Sequence, residues 1–163
     1  MIPFCRRKII RNHLEKDQPY LIRYTLFRSR LFSIYIHRFM SSDSGDHHDH
    51  PWNFFTYILE GKYTEERLAA DPNGKGELRI TKTVRKTGSL AYRKALDTHK
   101  VFLDRAYRSD EEHLAPLTLC IIFRRHRIWG FIKRTATGYE WVNWLDYLEF
   151  DGNLKRFYGS DQR

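Results

Sequence analysis

The sequence contains little cysteine, and neither cysteine sits in a motif that carries chemistry. Cys5 and Cys120 are the two cysteines among 163 residues, too few for the disulfide framework of a small secreted domain. Cys120 lies in the mostly apolar run 117–123, where a buried, reduced thiol is the expected state. The chain also lacks a Cys-x-x-Cys pair, a Ser-His-Asp order and a glycine-rich phosphate loop, so these competing chemistries are excluded.

Long apolar segments are missing as well. The run 117–123 is the longest of them, whereas a transmembrane helix needs about 20 apolar residues. No apolar stretch follows the basic residues Arg6, Arg7 and Lys8, as it would in a secretory signal. We therefore expect a cytoplasmic protein that does not contact a membrane. The length and the 15% aromatic content favour one folded domain over residues 1–163.

Acidic residues are scarce at the start of the chain, although the net charge is +9 over the whole sequence. Residues 1–40 contain nine Lys or Arg and two Asp or Glu, whereas residues 41–163 contain 20 Lys or Arg and 18 Asp or Glu. The cluster formed by Arg6, Arg7, Lys8 and Arg11 is suited to the phosphates of a nucleic acid or to an acidic partner. A solvated basic end is the alternative. A second cluster, 124–127, is interpreted as a turn or strand edge.

The hydrophobic pattern consists of short alternating runs separated by turn-forming residues. It predicts strands at 20–27, 31–40, 52–59, 77–85, 89–93, 99–103, 117–124 and 128–133. This pattern is typical of an all-β fold, a small antiparallel β-barrel or jelly roll. The run 52–59 is apolar at both its odd and its even positions, and therefore on both strand faces, which predicts a central strand covered on both faces.

The two ends of the chain are assigned separately from this barrel. We expect a basic N-terminal segment over 1–19, with a short helix at 6–16, and a barrel over about 20–142. A C-terminal helical tail is expected over about 143–163, because Trp144, Tyr147, Leu148 and Leu154 approach helical spacing.

Three of the eight histidines lie just before one predicted strand. His47, His48 and His50 surround Asp49 immediately before Pro51. In an extended backbone, side chains two residues apart project to the same face, so His48 and His50 are able to converge on one metal ion. Imidazole binds zinc, iron, copper and nickel, which leaves the metal open.

Two segments resemble the signature motifs of the cupin superfamily. His48, His50 and Gly61 match the first motif, and Gly88 and His99 match the second at the expected spacing. The residues 37–39, 42–43, 48–52, 58–63, 93 and 129–131 extend this likeness to a group of small bacterial and phage cupins.

The sequence also departs from the cupin motifs. The glutamate of the first motif falls on Phe54 or Phe55, neither of which can bind a metal. The proline and second glycine of the second motif fall on Lys94 and Leu96. What remains is a set of three histidines, similar to the ligand set of cupin thiol dioxygenases.

The resemblance implies a cupin fold with a metal inside a small barrel. It implies that His48, His50 and His99 bind a divalent transition metal, foremost Fe(II), with Zn, Mn or Ni as alternatives. Three neutral imidazoles leave the ion a charge of +2 and open coordination positions, which favours a small anionic substrate. The candidates for a fourth ligand are Glu65, Glu66, His37 and His47.

Four other residues are assigned supporting or binding roles. His37 and His47 are candidates for support of the metal ligands, with a core position for His37 and a surface position for His47 as the alternatives. Arg93 precedes the third ligand and is expected to hold a substrate carboxylate or phosphate, unless it faces solvent. Tyr57 is a candidate substrate-binding phenol, with aromatic packing as its alternative.

Three functions follow from this reading. The first is an Fe(II)-dependent oxygenase or dioxygenase, in which no individual catalytic residue is assigned. The alternatives are a non-catalytic cupin that binds a small ligand or a nucleic acid, and a metal-dependent sugar isomerase or epimerase. A homodimer is left open.

Overall fold

The described part of the chain forms two antiparallel sheets of six strands each. The computed structural model describes residues 6–11, 18–70, 78–136 and 138–150. With strands numbered in chain order, the first sheet contains, side by side, β1 (Arg6–Arg11), β2 (Pro19–Arg28), β3 (Phe32–Phe39), β10 (Leu117–Phe123), β5 (Phe54–Glu60) and β8 (Leu90–Arg93). The second contains β12 (Gly138–Asn143), β11 (Gly130–Thr135), β4 (His47–His48), β9 (Thr98–Phe102), β6 (Lys62–Ala70) and β7 (Leu78–Lys86).

Two short helices accompany the sheets. A 3-10 helix, Ser109–Leu114, lies between β9 and β10, and α1 (Trp144–Phe150) follows β12. The Asn143 side chain accepts hydrogen bonds from the backbone N–H groups of Leu145 and Asp146, which caps the start of α1. Within the described residues, neither helix has the length and apolar character that crossing a membrane requires.

This arrangement confirms the predicted all-β fold with jelly-roll character. The eight predicted strands correspond to β2, β3, β5, β7, β8, β9, β10 and β11. The sequence pattern missed β1, β4, β6 and β12. Of these, β6 matters most for the site, because it carries buried polar residues that alternation alone does not reveal.

The predicted N-terminal helix is wrong where the structure describes it. Arg6–Arg11 is strand β1, which pairs with β2 so that Ile9 lies opposite Ile22. The remaining residues of that prediction, 12–16, lie outside the described residues. A strand is favoured because a neighbouring edge offers hydrogen bonds along the whole segment, which outweighs its weak local preference.

The predicted C-terminal helix is confirmed over Trp144–Phe150. Its Tyr147 and Leu148 side chains pack against Phe131 of β11 and form a buried cluster with it. The Phe131 and Tyr147 rings stack with centroids 4.0 Å apart. Residues 151–163, including Leu154, lie outside the described residues.

Strand β5 lies inside its sheet, between β10 and β8, but the prediction that both of its faces are covered is wrong. Phe54 and Ile58 are buried on one face, whereas Tyr57 and Leu59 on the other are 39% and 37% exposed. No layer of the described structure packs over that outer face, so the apolar residues there remain in contact with solvent.

Gly61 is the point at which the chain crosses from the first sheet to the second. It separates β5 from β6 and has a φ angle of 79°, a conformation that favours glycine. A side chain there would also bring a Cβ atom within 3.2 Å of the Pro116 backbone. The crossing places the cupin-motif glycine directly before the strand that carries Glu65.

The inner faces of the sheets meet in a small hydrophobic core. Ile58 of the first sheet packs with Tyr63 and Val101 of the second, and all three side chains are buried. A fully buried aliphatic or aromatic side chain contributes about 1.5–3 kcal/mol relative to an exposed one. This cluster therefore holds the two sheets together beside the polar site described below.

A buried carboxylate fixes the segment that follows β4. Asp49 is 2% exposed and accepts hydrogen bonds from Arg127 Nη1 at 2.6 Å, the Gly130 backbone N–H at 2.7 Å and Trp141 Nε1 at 2.9 Å. These three donors tie the segment to β11, β12 and the loop before them. Because Asp49 lies between His48 and His50 in sequence, it also sets where those two histidines stand.

We expect Asp49→Ala to lower the free energy of unfolding by about 3–5 kcal/mol, because it leaves the Arg127 guanidinium and two other donors without their buried acceptor. Urea denaturation followed by circular dichroism measures this change. Asp104→Ala is the matched control, since Asp104 forms an exposed ion pair with Lys62, and such pairs contribute little. Equal stability of the two variants would contradict the role assigned to Asp49.

Candidate metal centre

The structure brings together His48, His50 and His99, as the sequence predicts. His48 of β4 lies directly opposite His99 of β9 in the sheet register, and His50 follows two residues later. The three residues each offer a ligand atom, and these atoms lie within 4.8 Å of one another. Residues separated by about 50 positions in sequence therefore meet through strand pairing within the second sheet.

The spacing of the nitrogens fits a shared metal ion. His50 Nε2 and His99 Nε2 are 2.8 Å apart. Two imidazole nitrogens that each lie about 2.1 Å from one ion are about 3.0 Å apart when their bonds meet at a right angle. Only a small movement is therefore needed for both nitrogens to bind a single ion.

Glu65 fixes the orientation of His99. His99 Nδ1 donates to Glu65 Oε1 at 2.9 Å, which leaves the Nε2 lone pair directed toward the other two histidines. Burial alone would raise the pKa of Glu65, but hydrogen bonds from His99 and Arg93 hold that pKa well below its usual range. A carboxylate behind a metal-binding imidazole typically fixes its tautomer and strengthens it as a ligand.

Arg93 has a different role from the predicted one. Its Nε donates to Glu65 Oε1 at 2.8 Å, its Nη2 donates to Glu65 Oε2, and the guanidinium is buried. Arg85 Nε adds a third basic contact, to Glu65 Oε2 at 2.9 Å. The expectation that Arg93 holds a substrate anion is corrected, because its fork is occupied by the carboxylate that orients His99.

His50 is held neutral by its surroundings. Burial, reinforced by His99 and His48, keeps the pKa of His50 well below its usual value. Its ring packs edge to face on Phe54, with centroids 4.6 Å apart. A neutral imidazole has the free lone pair that metal binding requires. Phe54 thus occupies, as a packing residue, the position at which the cupin motif has its glutamate.

Asp43 lies on the far side of His48. Its Oδ2 is 4.0 Å from His48 Nδ1 and accepts a hydrogen bond from the Val101 backbone N–H at 2.7 Å. Tyr20 donates its hydroxyl proton to Oδ1 of the same carboxylate. Asp43 belongs to one of the segments that resemble small cupins, but the sequence alone indicates no role for it. Its contact with His48 depends on the pairing of β4 with β9.

The two histidines expected to support the ligands contact other groups, although His37 lines the same cavity. His37 is buried, accepts a hydrogen bond from Arg23 Nε at 3.0 Å, and places Nδ1 3.3 Å from Cys120 Sγ. His47 points away from the three histidines, and its Nε2 is 3.5 Å from Glu66 Oε2. Both residues therefore contact groups other than the candidate ligands.

Tyr57 lies on the outer, solvent-exposed face of β5, and the cavity beside the histidines is lined from that strand by Phe54 and Thr56 instead. The expected contact between Tyr57 and a substrate in this cavity is thus corrected. Adjacent residues of a strand face opposite sides, so an inward Thr56 requires an outward Tyr57.

The three histidines line a cavity of about 330 Å³ between the sheets. Its walls are largely aromatic and aliphatic, including Trp52, Phe39 and Trp129. Arg23 brings a positive charge to the cavity wall, and its guanidinium lies over the Tyr35 ring at 4.8 Å. A largely apolar cavity with a few polar groups is the usual form of a small-molecule site.

The buried cysteine of this cavity is a free thiol, as expected from its position in the sequence. Burial raises the pKa of the Cys120 thiol to about 11, so it is protonated near neutral pH and is a poor nucleophile.

The basic N-terminal cluster is partly neutralised. Arg7 Nη2 donates to Glu112 Oε2 of the 3-10 helix at 2.9 Å, and the same glutamate accepts a hydrogen bond from the Tyr24 hydroxyl. This pairing reduces the positive charge that β1 offers to a nucleic acid.

Comparison with known proteins supports the fold. No protein-family model and no curated protein matches the chain. Among solved structures, it is similar to Fe(II)-HppE with the alternative substrate (S)-1-HPP, at a TM-score of 0.50 and 15% identity, over 76% of this chain and 60% of that chain. Hydroxypropylphosphonic acid epoxidase from S. wedmorenis matches at a TM-score of 0.49 and 15% identity, over 76% of this chain and 59% of that chain.

A third match is an RmlC-like cupin from Shewanella frigidimarina, with a TM-score of 0.43 and 12% identity, over 66% of this chain and 79% of that chain. The chain spans about three fifths of the length of the first two structures. Similarity at these identities concerns the fold and not the reaction. The chain has a cupin-like fold, as its two histidine-containing motifs predict.

Proposed function

We propose that this protein is an Fe(II)-dependent oxygenase that acts on a small anionic substrate. The observation that carries the proposal is the convergence of His48, His50 and His99 in one cavity, with their ligand atoms within 4.8 Å of one another. Three neutral nitrogen donors bind a divalent transition metal and leave part of its coordination sphere open. When bound there, iron would supply redox chemistry and the open positions for dioxygen and substrate.

The surrounding carboxylates prepare the three imidazoles for this task. Glu65 accepts a hydrogen bond from His99 Nδ1, so that the Nε2 lone pair faces the cavity. Arg93 and Arg85 balance the charge of Glu65, which keeps that carboxylate ionised and in place. The ligands are therefore positioned before an ion arrives, which reduces the entropy lost on binding.

Arg23 replaces Arg93 as the proposed anchor for the substrate anion. Its guanidinium faces the cavity, and no ion pair between Arg23 and a carboxylate occurs among the described residues. Burial lowers the pKa of Arg23 from its usual value, as expected for a guanidinium without such a partner. A carboxylate or phosphate bound to its free Nη groups would satisfy them.

Apolar side chains line much of the cavity that contains the anchor and the histidines. Phe54, Trp52 and Val101 line this part of the cavity. Such walls limit the access of water, which strengthens the electrostatic interactions within the cavity. A substrate with an anionic end and a short organic body matches this division into a charged wall and an apolar interior.

The oxygenase activity is tested with protein freed of metal and reloaded with Fe(II) under anaerobic conditions. Mixing with a panel of small carboxylates and organic phosphates in an oxygen electrode is expected to give iron-dependent oxygen uptake with at least one anion. Arg23→Gln should raise KM for that anion about tenfold or more, because a charge-assisted contact is lost. Uptake by the wild type no faster than that of His99→Ala throughout the panel would contradict the proposal.

Metal binding is tested separately from activity. We expect His48→Ala, His50→Ala or His99→Ala to abolish stoichiometric metal uptake, because two imidazoles hold an ion far more weakly than three. Elemental analysis and anaerobic Fe(II) titration measure the loss. His113→Ala is the control, since His113 is exposed on the 3-10 helix. Full metal uptake by the first three variants, with retained circular dichroism spectra, would refute the site.

The role of Glu65 is tested by comparison with its neighbour. Glu65→Gln should weaken metal affinity about 10- to 100-fold, as loss of a carboxylate behind a ligating histidine typically does. Glu66→Gln is the matched control, because Glu66 lies on the opposite face and pairs with Lys82 at 2.6 Å. Competition with a chromophoric chelator gives both affinities. Equal affinities would show that Glu65 does not act on His99 in this way.

A further inference from the structure

A groove rich in arginine lies at one end of the first sheet and adjoins the metal cavity. We propose that this arginine groove, formed around Arg23, Arg28, Arg30, Arg124 and Arg125, binds the linked phosphates of a small organic polyphosphate. The proposal deepens the proposed function, on which it rests for the statement that the bound molecule reaches the metal site. The binding of phosphates in the groove is argued and tested on its own.

Strand pairing creates the groove from two distant parts of the sequence. Phe32 at the start of β3 lies opposite Phe123 at the end of β10. The turn between β2 and β3, which contains Arg30, therefore stands beside the residues that follow β10, Arg124 and Arg125. The turn is held by Ser29, whose hydroxyl donates to the Phe32 carbonyl at 2.9 Å, so the arginines project from a fixed backbone.

The groove contains positive charge without a matching negative charge. Its lining residues include the five arginines and no aspartate or glutamate. Within the described ranges, no ion pair joins any of the five guanidiniums to a carboxylate. Confining like charges in this way is unfavourable unless an anion is present. Guanidinium groups bind phosphate oxygens in pairs, and clustered arginines suit a ligand with several phosphates.

The groove and the metal cavity share a wall. Arg23, Trp52 and Ile122 line both spaces. The groove measures about 360 Å³ and the cavity about 330 Å³, and each is within the usual range for small-molecule sites. These shared residues place the groove next to the cavity, and under the proposal the organic part of the ligand lies toward the histidines.

These dimensions favour a small molecule over a nucleic acid. A nucleic acid is usually bound along an extended basic surface that follows its backbone, whereas this groove is a local depression of about 360 Å³. The basic strand β1, the other candidate for nucleic-acid contact, has Arg7 paired with Glu112. A compact polyphosphate matches both the concentrated positive charge and the small volume of the groove.

The test uses isothermal titration of the full chain with inorganic tripolyphosphate, with ATP and with a single-stranded oligonucleotide. Arg30→Glu combined with Arg124→Glu should weaken binding of tripolyphosphate and ATP at least about tenfold, because charge-assisted contacts become repulsive. The control combines Arg79→Glu with Arg134→Glu, two exposed positions on the second sheet that give the same change in net charge. It should change the affinity less than about twofold.

Three results would overturn the proposal. The first is the absence of tripolyphosphate and ATP binding by the wild-type protein, and the second is an equal loss of binding in the groove and control variants. The third is oligonucleotide binding that exceeds ATP binding and tightens with chain length, which would indicate a nucleic-acid surface.

A separate measurement distinguishes failure of the groove from failure of the metal site. His99→Ala should bind tripolyphosphate as the wild-type protein does, since the groove does not depend on the ion. If His99→Ala binds the metal as tightly as the wild type does, and both proteins bind tripolyphosphate equally well, the metal proposal fails while the groove stands. Loss of polyphosphate binding in the folded His99→Ala protein would contradict an independent groove.

Discussion

The carboxylate of Glu65 connects the candidate metal centre to the architecture of the fold. It lies on β6 of the second sheet, accepts a hydrogen bond from His99 on the neighbouring β9, and pairs with Arg93 on β8 of the first sheet. A buried charge is costly unless it is paired and hydrogen-bonded, so these partners have to be present together. The contact between the sheets and the orientation of a metal ligand are consequently parts of one network.

A second carboxylate does the corresponding work for the other two histidines. Asp49 joins the segment around His48 and His50 to Arg127 and to the backbone of Gly130. Neither Asp49 nor Glu65 belongs to the cluster of candidate ligands. The two carboxylates thus position the histidines, and the site lacks the glutamate of the cupin motif. Phe54, one of the two residues on which that glutamate falls, packs on His50, while Glu65 is hydrogen-bonded to His99 and Asp49 fixes the backbone between His48 and His50.

The sequence predicted the cluster of three histidines better than its surroundings. His48 and His50 could be placed on one face because alternate residues of an extended chain share a face, and resemblance to the cupin motifs added His99. Glu65 is a candidate fourth ligand from the sequence, but its contact with His99 Nδ1 could not be predicted, because β6 carries so many polar residues that it lacks the usual strand pattern. The partner of Arg93 is Glu65 on that strand, so the sequence alone leaves Arg93 unpaired and suggests that it binds a substrate anion. The arginine groove was equally hidden, since it depends on the register of β3 with β10.

The central claim is that His48, His50 and His99 bind one metal ion together. Its most direct test is a crystal structure of the protein loaded with a transition metal, with data recorded at the absorption edge of that metal. The account predicts a single anomalous peak bound by three imidazole nitrogens at about 2.0–2.2 Å, with Glu65 still hydrogen-bonded to His99. A peak at other residues, or no peak between these histidines in fully loaded protein, would contradict it.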